Sequence, residues 1–195
     1  MRLADDAISK PSGLLGALIF MGMLWAPLSI AGDLPSMTQF SDSKNTVTLS
    51  IPTDWDVAVD SVFRNAQVSD GDLTKMVVSW NDTEEKPSQE DLLNGTLQHL
   101  QESITGLTLT EIRQRPFASG NGRTAITSYE AYDTTLSIGA AVLYAPQEQR
   151  VFSAVLISPE EQFDDINGLQ LLQTVLTSIK VITPNSEIVP THDGP

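Results

Sequence analysis

Two histidines, His99 and His192, are the only imidazoles in this chain, and it has no cysteine. Any Ser-His-Asp grouping must draw on one of them. His99 falls off the leucine face of its predicted helix, beside Glu102, and His192 falls in a polar tail, so both read as solvated side chains. No Gly-x-Ser-x-Gly elbow and no His-Glu-x-x-His pair occurs, and Gly120-Asn121-Gly122 is too short to cradle a phosphate. Thiol nucleophiles, cysteine-ligated zinc and redox dithiols are excluded outright. Carboxylates and tryptophans remain. Asp54, Asp56 and Asp60, the pair Asp70 and Asp72, and Asp82 with Glu84 and Glu85 offer oxygens to a hard cation, but none has the EF-hand spacing. No catalytic, cofactor-binding or metal-ligating residue is therefore assigned, and the protein is read as no enzyme. The residues assigned to binding are Trp55 and Trp80, with Asp54 and Asp56 flanking Trp55. An exposed indole would stack on a ligand or partner, whereas a buried one packs at the sheet end.

A readable series of elements carries these residues. Val47, Leu49 and Ile51 alternate with Thr46, Thr48 and Ser50, a half-buried strand stopped by Pro52, with Trp55 in the turn beyond. Val57 and Val59 suggest a short extended piece running towards Val62 and Phe63. Met76, Val78 and Trp80 mark another strand. Ser88 caps a helix with Glu90 and Asp91 in its first turn. Leu93, Leu97, Leu100 and Ile104 share its buried face, and Gly106 stops it. From Leu107 the period is two: a strand towards Phe117, a tight turn at Gly120-Asn121-Gly122, then Ala125–Tyr129, Leu136–Tyr144 and Val151–Ile157. The last is mostly apolar and is expected at the centre, covered on both faces. Ser158-Pro159-Glu160-Glu161 reads as a helix start with Ser158 as cap, and Leu169, Leu172, Leu176 and Ile179 form the buried face. Short turns make the strands antiparallel. The pattern predicts an α+β fold, an α/β/α sandwich with two main helices around a mainly antiparallel sheet of about six to seven strands.

Leu14 to Ala31 is an apolar run broken by Pro27 and closing on Ser29-Ile30-Ala31, whose small residues suit a signal peptidase. Residues 1–31 are expected to be a signal peptide or an uncleaved anchor, since the run approaches the roughly 18–20 residues that span a bilayer. Either reading puts the domain outside the cytoplasm, periplasmic, secreted or membrane-anchored, and the lack of cysteine excludes an acylated N-terminus. Residues 32–45 read as a polar leader, 46–182 as the domain and 183–195 as a flexible tail. Removing residues 1–31 discards Arg2, Lys10, Asp5 and Asp6, so the other 164 residues keep the full net charge of −14. That length suits one core. The charge repels nucleic acid and anionic lipid headgroups, and without disulfides stability must come from the core alone.

The stretch Phe40-Ser41-Asp42 followed by Val47 to Pro52 and Thr53-Asp54-Trp55 is similar to the opening of PsbP-like domains: a strand, a proline, an acidic or polar residue and a tryptophan. The helix at 88–104, Gly122-Arg123-Thr124-Ala125 in place of a Gly-x-x-Ala strand start, and a final helix with Ser178-Ile179 follow the same order. The resemblance, to a superfamily that also holds Mog-type, DcrB-like and LpqN-like proteins, covers most of residues 38–182. It implies an α/β/α sandwich and a binding or scaffolding module with no catalytic residues to carry over. The expected function is an exported, non-enzymatic accessory module that binds a protein partner in the cell envelope or lumen. The alternative is a small-ligand or cation-binding periplasmic protein using Trp55, Trp80 and the acids of 54–60. No nucleic acid is expected as a partner, and membrane contact only through an uncleaved N-terminal segment.

Overall fold

The computed structural model describes residues 33–42, 46–131 and 133–181, all within one compact unit, Ala31–Pro195. The expected signal peptide or anchor at 1–31 and the tail at 183–195 lie outside the described residues. In chain order the elements are β1 (Met37–Ser41), β2 (Val47–Pro52), β3 (Asp56–Asp60), β4 (Asn65–Ser69), β5 (Lys75–Asp82), α1 (Gln89–Ser103), β6 (Thr110–Pro116), β7 (Gly122–Ala131), β8 (Thr134–Ala145), β9 (Arg150–Pro159), α2 (Glu160–Asp165), α3 (Gly168–Ser178) and β10 (Lys180–Val181).

The large sheet has seven strands, all antiparallel, in the order β3-β4-β5-β9-β8-β7-β6. After β5 the chain crosses the sheet as α1, starts again at the far edge with β6, and returns by meander until β9 pairs with β5. β9 is the central strand, as its apolar composition predicts. Helix α1 begins where expected: the Ser88 hydroxyl accepts from the Asp91 N–H at 3.3 Å. Its Leu93 and Leu97 pack on Ala125, Ala140 and Val142. The opposite sheet face carries Ala141, Leu143, Phe152, Ala154 and Leu156, covered by Leu171, Leu172, Val175 and Leu176 of α3. Helices on opposite faces of one antiparallel sheet make the α/β/α sandwich that the sequence predicts.

The structure adds a second sheet. β2 turns Val47, Leu49 and Ile51 onto α3 and the same core, but it pairs with β1 and β10, in the order β1-β2-β10. Residues 37–41 therefore form a strand where a polar leader was expected. The reason is physical: β1 is held by main-chain pairing to β2 and turns only Met37 and Phe40 towards the core, while Thr38, Gln39 and Ser41 are exposed. β4 is a full strand for the same reason, with Ala66 and Val68 as its only inward side chains. Ser158 is not a helix cap. β9 runs on to Pro159, and the buried Ser158 hydroxyl bonds that of Thr74 at 2.8 Å. The final helix is two pieces, because Asn167 takes a left-handed conformation (φ 49°) between α2 and α3.

Candidate functional site

The alternation that points Met76, Val78 and Trp80 of β5 into the α3-side core must point Val77, Ser79 and Asn81 the other way. On β9 it sends Val151, Ser153 and Val155 to that same side. Helix α1 sits over β7 and β8 and leaves this part of the face uncapped. The result is a groove of about 830 Å³, floored by β5, β9 and Asn65 of β4 and walled by α1. The prediction that β9 is covered on both faces is thus met on one face only: its second face is half-buried and lines the groove.

Along the α1 wall stand Asp91, Leu92, Gly95, Thr96, His99, Leu100 and Ser103. These lie beside the Leu93 and Leu97 face and run from the first helical turn to the last. Phe63 from the β3–β4 turn closes one side. It is 75% exposed, and Val77 on the floor is 43% exposed, so large apolar groups meet solvent here. His99, expected to be a solvated side chain, is exposed on this wall. Gly95 occupies the middle of α1, where glycine costs roughly 1 kcal/mol relative to alanine. A Cβ placed on it would meet nothing within 4 Å. Internal packing does not require a glycine there.

The charged residues lining the groove are Asp82 and Asp91, and no lysine or arginine lines it. Asp82 ends β5 with its carboxylate between two guanidinium groups, Arg150 at 2.7 Å and Arg64 at 2.8 Å. Arg150 is largely buried and also donates to the Val181 carbonyl at 3.4 Å, linking β9 to β10. The hydrogen bond from Arg150 is the main cause that holds the Asp82 carboxyl below its usual pKa, with Arg64 adding to it. A depressed carboxyl stabilises the fold above its unfolded pKa and loses that contribution as pH falls through the folded value. Acidification below the ordinary aspartate value of 3.8 should therefore weaken the wild type more than Asp82→Asn. Urea midpoints at pH 7 and pH 3 measure this, and equal losses in the two proteins would remove Asp82 from the acid response.

The residues singled out for binding sit elsewhere. Trp80 is 4% exposed and its ring is part of the α3-side core; Trp55 is half-buried against the same core. Asp54 and Asp56 are exposed in and just after the β2–β3 turn. The structure thus brings the two indoles to one core and leaves both carboxylates at the surface, and none of the four lines the groove. Asn94 accepts from the Gln114 side chain at 3.1 Å and so ties α1 to β6. Sequence reasoning missed the groove, although two features could have found it: the apolar residues on both faces of β9, and Gly95 in the middle of an amphipathic helix.

No protein-family pattern and no curated protein sequence matches the chain. Solved structures do. The chain is similar to the Ran-binding protein Mog1p of Saccharomyces cerevisiae, with a TM-score of 0.59 at 13% identity over 75% of this chain and 96% of that one. It is also similar to cyanobacterial PsbP (CyanoP) from Synechocystis, with a TM-score of 0.53 at 16% identity over 77% of this chain and 95% of that one. At these identities the likeness is one of fold, and the fold is the PsbP/Mog-like sandwich that the Pro52–Trp55 signature implied.

Proposed function

We propose that this chain is a non-enzymatic accessory module, exported from the cytoplasm, that binds a protein partner. The observation that carries the reading is the groove beside α1: apolar side chains stand open to solvent there, in a fold whose opposite sheet face carries the main core against α3. Exposed apolar clusters rimmed by polar groups mark interaction sites. Among the described residues no three histidines or carboxylates gather as a metal centre requires. Mog1p, which shares the fold, is named for binding Ran, and that supports a partner-binding role without specifying the partner. Export rests on the Ser29-Ile30-Ala31 cleavage pattern.

The test is capture of cross-linked complexes from the envelope fraction with the tagged full chain. One protein recovered reproducibly and in stoichiometric amount is the expected result; repeated recovery of none overturns the reading. A second reading is kept because the groove volume falls within the range of about 300–1,000 Å³ typical of small-molecule sites. In that case a metabolite or calcium panel should reveal a compound that raises the melting temperature, since ligand at 100 times its dissociation constant adds about 2.7 kcal/mol.

A further inference from the structure

We infer that the groove along α1 receives a basic amphipathic segment of the partner protein, lying against the helix where Gly95 leaves its wall bare. The inference rests on the partner-binding reading and adds the chemistry of what that partner presents.

Four features of the groove point to this occupant. Its wall positions Asp91, Gly95, His99 and Ser103 recur every fourth residue and so form one line along the helix. At the helical rise that line is about 18 Å long, the span of roughly five or six extended residues. The floor beside it is apolar at Val77, Val151 and Val155, which calls for apolar side chains on the occupant. Asp82 is compensated by Arg64 and Arg150, which leaves Asp91 as the carboxylate turned to an occupant, on a chain of net charge −14, so the overall field draws in lysine or arginine and repels acidic segments and phosphates. Gly95 supplies the steric argument. Its own fold leaves room for a side chain at that position, so a glycine there makes sense as clearance for something that approaches the helix backbone closely.

The probes are a labelled peptide of alternating lysine and leucine and its glutamate–leucine counterpart, titrated against the full chain by fluorescence anisotropy. The basic peptide should bind saturably, and the acidic one at least about tenfold more weakly. Gly95→Leu should weaken the basic peptide by about tenfold or more while the melting temperature holds or rises, because leucine is the better helix former. Gly95→Ala should act in the same two directions, more mildly. The control Glu160→Gln/Glu161→Gln removes two charges from exposed positions of α2, which packs against the sheet away from α1, and should change affinity by about twofold at most.

Unchanged binding in Gly95→Leu overturns the inference. So does a loss in the α2 control as large as that in Gly95→Leu, which would reveal general charge attraction, and so does equal binding of the acidic peptide. The two readings fail separately. A partner captured equally well by wild type and Gly95→Leu removes the groove inference and leaves the partner-binding role standing. Groove-specific peptide binding with no partner ever captured does the reverse.

Discussion

Phe163→Ala should lower unfolding free energy by about 3–5 kcal/mol, at the upper end for core truncations. The Phe163 ring comes from the short helix α2 and is 2% exposed. It lies against two glycines on different elements. A Cβ on Gly139 of β8 would come within 2.9 Å of the ring, and one on Gly168 at the start of α3 within 2.6 Å. The ring thus fills space that two backbone segments have left open, and removing it creates a cavity walled in part by main chain. Those parts of the wall cannot relax inward as flexible side chains do, which keeps the cavity cost high. Urea denaturation at constant slope measures the loss, and a loss below about 1 kcal/mol would show that the site collapses. The double variant Phe163→Ala/Gly139→Ala should recover part of the stability, because the new methyl group enters the vacated space. Gly139→Ala alone should destabilise, since its Cβ would sit 2.9 Å from the Phe163 ring and 2.8 Å from the end of the Leu172 side chain, and only loss of the ring gives that side chain room to shift.

Asp42→Ala should cost about 2–3 kcal/mol, a large effect for one polar side chain near a sheet end. Asp42 is buried between β1 and β2, and its carboxylate accepts from the Thr46 N–H at 2.6 Å, the Val47 N–H at 2.9 Å and the Thr46 hydroxyl at 2.8 Å. Alanine would strand these donors at the start of the strand that carries Val47, Leu49 and Ile51. Asp42→Asn, which leaves one acceptor oxygen in place of two, should cost roughly half as much. Hydrogen exchange should locate the damage: faster exchange at Val47 and Thr48, with β8 and β9 unchanged until global unfolding. Uniform acceleration across both sheets would mean that the small sheet does not open on its own.

The sequence made the sandwich legible wherever apolar periodicity was strong. The alternation in β2, β5 and β7 to β9, Leu93 and Leu97 of α1, and Leu172 and Leu176 of α3 appear in the structure on the faces that the pattern assigns. Leu100, Ile104 and Leu169, expected on the buried faces, are only half-buried, and Leu100 stands on the groove wall. β1 and β4 were harder to read because they present few apolar side chains and are held by pairing to neighbours. Ser158 shows the opposite failure, a strong local cap signal overridden when β9 extends through it to reach Thr74, 84 residues distant in sequence. The groove was legible only in fragments. Alternation says which residues share a face of β5 and β9, but whether a helix covers that face depends on where α1 comes down, and that is set by packing on β7 and β8. Trp80 attracted attention by its type, yet its parity with Met76 and Val78 already committed it to the core.

The described domain begins at β1 and ends at β10, both flanking β2 in the sheet that packs with α3, across the large sheet from α1. A bead or sensor chip coupled at Met37 or at Val181 would therefore grip the molecule from behind. The groove would stay turned towards bulk solution, so surface-immobilised protein should bind with the same strength whichever of these two positions is fixed.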